Sequence, residues 1–326
     1  MASQPAPYTQ TQLIQYLKRI RYFAQGEECG HDINVHRQLE QLEQSIQQNP
    51  LPVLSELQRR HLSTIPFGNS ELHYSQHHAI SLDPESLFHK MIDRKLDGYC
   101  LESTGLFYNM LRCLGFHVYA TGARVNDSAV SSLTDQGDRY GGFSHMVLIV
   151  NIVDDAYLVD VGFGPQVAPH PLKLEEDKIA TVIAPVEMRL LKDSIPDLID
   201  QCQKVWIYQT RYNPDNKWRS AFCFSEVEFL PRDFDMMNFY ISRNPTSWFT
   251  QKFFCTIMIL DETQKTVIGE YILSNNEVKR RVQGQSEVLV KLENEKDRVA
   301  ALAKWFDMHL SDEEIQGIRG MVSEIP

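Results

Sequence analysis

Hydrophobic positions in the first hundred residues recur at helical spacing. Leu13, Ile14, Leu17 and Ile20 form one stripe behind a capping Thr9 or Thr11. Val35, Leu39, Leu42 and Ile46 repeat the pattern across 35–48, and Pro50 and Pro52 end it. Leu51, Leu54 and Leu57 predict a third helix, closed by Ile65-Pro66-Phe67-Gly68. A short strand is expected within 71–80. Asp83-Pro84, a capping residue followed by proline at the first helical position, opens a helix over 83–93. From Cys100 to about Leu114 the pattern changes. Leu101, Leu106, Phe107, Leu111 and Leu114 cover more than one side, which is the signature of a buried helix, and Gly115 terminates it.

From Phe116 the period becomes two. Phe116, Val118 and Ala120 alternate with His117, Tyr119 and Thr121 in an expected strand. Residues 126–142, rich in Asn, Asp, Ser and Gly, read as a long loop. Strands are expected at 144–152 and 156–161 around a Val153-Asp154-Asp155 turn, as a hairpin, followed by the tight loop Gly162-Phe163-Gly164-Pro165. Further strands are expected at 205–209 and 222–229, with a turn at 211–217 between them. A helix is expected over 233–242, strands at 253–260, 266–273 and 288–292, and a helix over 295–310. A shorter helix follows Ser311-Asp312. There is no internal repeat and no low-complexity segment.

Composition narrows the class. The 326 residues are 43% hydrophobic and 23% charged, as in an ordinary globular protein able to bury a large core. A net charge of −11 and a pI near 5.5 argue against a general nucleic-acid binder. The six cysteines, at 29, 100, 113, 202, 223 and 255, contain no C-x-x-C pair and no disulfide-like spacing. Cys29 and His31 lack a second ligand pair, so no metal is expected, and a reducing compartment fits. The first residues lack the basic and apolar regions of a signal peptide, and no apolar run reaches membrane-spanning length. A cytoplasmic protein with no membrane partner is the expectation.

The chemistry gathers at Gly98-Tyr99-Cys100. A glycine turn delivers a cysteine to a helix start, where free N–H groups and the positive end of the helix dipole favour thiolate. With the hairpin turn centred at Val153/Asp154, Asp160 falls opposite Val147 and one diagonal step from His145, on the same face. Shifting the turn centre by one residue keeps both on that face. Two polar residues among Val, Ile, Leu and Met would satisfy each other when buried. Cys100, His145 and Asp160 thus have the makings of a thiolate–imidazole–carboxylate triad. Taken singly, each has an ordinary structural reading: a core cysteine, a satisfied strand histidine, a strand-end aspartate.

The segments Gly98–Glu102, 144–150 and 157–164 closely resemble the three motifs of the arylamine N-acetyltransferases. Residues 61–69 are similar to that family's upstream His…Pro-Phe-Glu-Asn segment, and 244–253 to its Ser-Pro-x-Ser-x-Phe segment. The resemblance implies an α+β fold like that of cysteine proteinases. It would have an N-terminal helical bundle over 1–115 carrying Cys100, a central antiparallel β-barrel over 116–232 carrying His145 and Asp160, and a C-terminal α/β lid over 233–326. It implies ping-pong acyl transfer from acetyl-CoA or another acyl-CoA, through Cys100, to an arylamine, arylhydrazine or related amine. This would serve xenobiotic or secondary metabolism, with a backbone N–H of Cys100 as oxyanion donor. Phe67, Phe163, Pro165 and Val167 are the implied acceptor contacts, and Thr246 and Ser247 the implied coenzyme A contacts. Oligomeric state is not encoded in any visible feature.

The chain departs from the family pattern near the cysteine. Leu96, Asp97 and Gly98 stand where the family has Arg-Gly-Gly, Gly68 where it has Glu, and Thr104 where it has Asn. In typical members that Glu and that Arg form a buried ion pair. Losing both together can be nearly neutral, whereas losing one costs about 3–5 kcal/mol. A carboxylate at 97 disfavours thiolate unless it points away or is paired, and Lys95 and Arg94 are the nearest cations in sequence. These departures point to acyl donors beyond acetyl and to biosynthetic acceptors. A thioesterase or amide-forming enzyme on the same triad, and a non-catalytic small-molecule-binding descendant, are the competing readings.

Overall fold

Helix signals of the first lobe translate directly into structure. The computed structural model describes residues 7–23, 31–130 and 138–326. Cys29, most of the 26–32 loop and the centre of the 126–142 loop lie outside them. Thr9 caps the first helix, Gln10–Arg19, in a reciprocal box with Gln12. Helices His31–Gln48 and Pro50–Thr64 follow as expected. The strand expected within 71–80 is instead a short helix, Ser70–Tyr74. Leu72, His73 and Tyr74 are buried in succession, which suits a turn of helix wedged between layers. Asp83 accepts from the Ser86 N–H and starts Pro84–Phe88, which runs on into a π turn, His89–Asp93. The helix Cys100–Cys113 is central, with Leu106, Phe107, Met110 and Leu111 fully buried.

The middle of the chain forms an eight-stranded antiparallel sheet. In spatial order its strands are Leu172–Lys173, Asp155–Val159, Tyr140–Ile152, His117–Asn126, Arg219–Phe224, Val205–Arg211, Glu187–Asp193 and Ala180–Thr181. The two end strands do not pair with each other, so the expected barrel is an open sheet. The hairpin has the expected register: Leu148 faces Val159 and Ile152 faces Asp155, around Val153 in the left-handed region at φ 57°. The strand expected over 222–229 ends at Phe224, and the strand expected from 144 begins at Tyr140.

A second, five-stranded antiparallel sheet runs Phe67–Gly68, Phe254–Leu260, Val267–Ser274, Glu277–Val282, Gln285–Lys291. Its first strand comes from the helical lobe, so the N- and C-terminal parts share one ladder. Helix Glu295–Phe306 covers this sheet through Leu302 and Phe306 against Leu273 and Val278. Among the described residues no helix is long and apolar enough to cross a membrane.

Candidate active site

Cys100 opens its helix with its side chain buried, and Tyr99 before it is extended. The carboxylate of Glu102 accepts the Tyr99 N–H at 3.1 Å, satisfying a donor that the helix start leaves free. The thiol donates weakly to the Ser144 carbonyl at 3.6 Å, which places the sulfur beside the residue preceding His145. Burial pushes the Cys100 thiol up, and the Asp160 charge adds to this. The N–H groups of Leu101 and Cys100 itself act in the opposite direction.

The hairpin brings His145 and Asp160 together as its register requires. His145 Nε2 lies 2.8 Å from Asp160 Oδ2, with both side chains buried. Asp160 Oδ1 accepts the Gly162 N–H at 2.7 Å, so both carboxylate oxygens are engaged. A carboxylate only accepts, so Nε2 carries the proton and Nδ1 is the free basic nitrogen. Phe163 and Phe222 flank the imidazole at 5.1 and 5.2 Å and fix its plane. Gln58 donates to the Asp160 carbonyl at 3.0 Å and holds the strand end. A Cβ on Gly162 would lie 2.8 Å from Cys100 Cα, so only glycine lets this strand end rest on the helix start.

Cys100 and His145 line one cavity of about 560 Å³. Phe67, Phe163, Trp248, Phe249 and Phe254 form aromatic walls, with Pro165 at the rim. Ser144, Gln166, Asn244, Thr246 and Ser247 supply uncharged polar edges, and among the described residues no lysine or arginine lines the cavity. Of the expected contacts, Phe67, Phe163, Pro165, Thr246 and Ser247 are therefore here. Val167 is not, because it follows the 3-10 turn Gly164–Gln166 and points into the core. Sequence reasoning missed Trp248 and Phe249, although both stand in the 244–253 segment beside the two residues it chose. Next door, across Pro165 and Gln166, a groove of about 540 Å³ is lined by Arg211, Lys217, Arg219 and Arg281, of which Arg211 pairs with Glu187 at 2.6 Å and Arg281 with Glu270.

Beneath the Cys100 helix, His61 bridges Tyr16 at 3.0 Å and Ser103 at 2.9 Å, and burial lowers its pKa to about 3. Among the described residues no group of His, Cys, Asp and Glu is arranged to hold a metal ion.

A family model described as N-acetyltransferase matches residues 50–315. The N-malonyltransferase FDB2 of Gibberella moniliformis is 33% identical over 318 residues, covering 94% of this chain and 91% of that protein. The chain belongs to the arylamine N-acetyltransferase family. Arylamine N-acetyltransferase 2 of Mesocricetus auratus is 29% identical over 214 residues, covering 64% of this chain and 71% of its own. Among solved structures, the Salmonella typhimurium arylamine N-acetyltransferase superposes with TM-score 0.73 at 23% identity, covering 95% of this chain and 98% of that one. The Mycobacterium marinum enzyme in complex with CoA gives 0.72 at 24%, covering 96% and 99%.

Against the arylamine N-acetyltransferase pattern, the departures at 68 and 97 resolve together. Asp97 is fully buried and points away from the thiol, accepting from the Ser70 backbone N–H at 3.1 Å and from the Ser70 hydroxyl. Its cations are not the ones expected. Lys95 lies 3.9 Å from Asp307 and Arg94 pairs with Glu314 at 3.0 Å, whereas the cation acting on Asp97 is Lys90. Lys90 Nζ also lies 2.7 Å from Glu102 Oε1, both side chains being buried. Burial pushes Glu102 up to about 7 against the pull of Lys90.

Proposed function

We propose that the protein is an acyl-CoA-dependent N-acyltransferase carrying the acyl group on Cys100. The observation that carries this reading is the His145–Asp160 pair, with His145 lining the same cavity as a cysteine at a helix start. A buried thiol next to Asp160 resists ionising alone, so the thiolate forms together with an imidazolium at His145. The sulfur attacks the thioester carbonyl of acyl-CoA, and the oxyanion is met by N–H groups at the helix start. The C–S bond to coenzyme A breaks, and His145 returns the proton to the departing thiolate. An arylamine, arylhydrazine or related amine then attacks the Cys100 thioester, loses a proton to His145, and leaves as the amide. Asp160 orients the imidazole and balances its charge in both halves.

The aromatic, uncharged cavity suits a flat amine acceptor. Thr246 and Ser247 on its wall suit the pantetheine arm, and Lys217 and Arg219 of the neighbouring groove suit the phosphates, Arg211 and Arg281 being already paired with Glu187 and Glu270. A relative matched over nearly the whole chain is named an N-malonyltransferase, so malonyl-CoA ranks beside acetyl-CoA as donor. Intact-mass spectrometry after incubation with acetyl-, propionyl- and malonyl-CoA tests the reading. A single acyl adduct should form, vanish on adding an aromatic amine, and be absent in Cys100→Ala. No adduct from any of the three donors would defeat it.

A further inference from the structure

The Asp97 carboxylate occupies space that any side chain at 68 would need. A Cβ on Gly68 would lie 2.1 Å from Asp97 Oδ2. On either side of this contact the backbones are tied: Gly98 N–H donates to the Pro66 carbonyl and Gly68 N–H to the Gly98 carbonyl, each at 3.2 Å. Asp97 adds a third tie through Ser70, two residues beyond Gly68. Between these ties lies Phe67, whose ring forms a wall of the cavity. On the other side of Cys100, Glu102 holds the Tyr99 N–H and is itself held by Lys90. The three residues ahead of the sulfur are thus gripped at both ends by buried carboxylates. The leading charges on the Cys100 thiol are those of Asp160 and Glu102, and Asp97 acts on Cys255.

We infer that Asp97 is a positioning residue: by clamping Ser70 it locks the Phe67–Gly68 strand to Gly98 and fixes the Cys100 sulfur and the Phe67 wall relative to each other. Asp97 works through geometry and not through its charge on the thiol. The inference rests on Cys100 being the reactive thiol of the proposed function, and its first readout needs no acyl donor. Iodoacetamide alkylation of Cys100, followed across pH by peptide mass spectrometry on protein shown folded by circular dichroism, is the test. Asp97→Ala should slow alkylation at Cys100 by about tenfold or more, the scale expected when a reacting group is misplaced by a fraction of an ångström. Asp97→Asn, which keeps the shape and an oxygen for the Ser70 N–H, should recover most of the rate with an unchanged pH midpoint. Ser70→Ala, a milder variant should Asp97→Ala fail to fold, should fall between the two.

Wild-type alkylation rates in folded Asp97→Ala or Ser70→Ala would overturn the inference. So would a shifted pH midpoint in Asp97→Asn, because that would make Asp97 an electrostatic residue. A wild-type protein that no acyl-CoA acylates, yet whose Cys100 alkylation depends on Asp97 as described, would sink the proposed function and leave this inference standing.

Discussion

Replacing Lys90 by methionine keeps most of the side-chain volume and removes the cation that Glu102 and Glu71 face beneath the Cys100 helix. Lys90 Nζ stands 2.7 Å from Glu102 Oε1 with side chains 10% and 1% exposed, so little water is available to take over. Breaking a buried pair by removing one partner costs about 3–5 kcal/mol. The loss should depend on pH, and its sign follows from Glu102. With Lys90 present, burial already holds Glu102 at about 7, above its ordinary 4.5. Without Lys90 it rises further. A carboxyl whose folded-state value is raised contributes stability that is present below its unfolded value and lost as pH rises through the folded one. Lys90→Met should therefore be penalised more at about pH 8 than at about pH 5.5. Urea unfolding at both pH values, read as a shift in midpoint at constant slope, measures this. Lys90→Met/Glu102→Gln should regain most of the loss, since an isosteric neutral pair can be nearly neutral. A single variant losing under about 1 kcal/mol at both pH values would refute the reasoning, because that is the size of an average substitution.

Two further outcomes are expected. Gly162→Ala should push the strand end off the Cys100 helix start, lowering stability by about 1–3 kcal/mol and turnover by about a hundredfold; steady-state kinetics on the folded variant checks it, and an unchanged kcat contradicts the close approach. Burial keeps His61 neutral with its pKa lowered from 6.5 to about 3, so the stability it contributes is present above about 6.5 and lost as pH falls towards 3. His61→Gln should flatten the acid limb of the unfolding midpoint, and an unaltered limb would assign acid sensitivity elsewhere.

The candidate site was legible where local rules act. The Val153-Asp154-Asp155 turn set the hairpin register, and register alone put His145 and Asp160 on one face. A glycine turn before an all-round apolar run placed Cys100 at a buried helix start. Strands Glu187–Asp193 and Glu277–Val282 escaped notice because charged residues crowd their apolar positions, as in Glu-Val-Lys-Arg-Arg-Val. The partner of Asp97 was invisible for another reason. Ser70 is 27 residues away and is brought near only by the Phe67–Gly68 pairing, so the nearest cations in sequence, Lys95 and Arg94, were the wrong choice. Val167 is an acceptor contact that only the family resemblance implies, and the turn at Gly164–Gln166 leaves it in the core.

The two-residue strand Phe67–Gly68 also has a consequence for biosynthesis. Phe67 pairs with Thr256 and Gly68 with Cys255, and the Asn69 side chain accepts the Phe254 N–H across 185 residues. During translation, Cys100 therefore leaves the ribosome well before the strand that completes its seat. At about 5–20 residues per second the nascent chain spends roughly 10–30 s in that condition. Until Phe254 has emerged, the cavity that Cys100 lines lacks one of its walls. Under the proposed function, a product truncated ahead of Phe254 should therefore carry Cys100 without its chemistry.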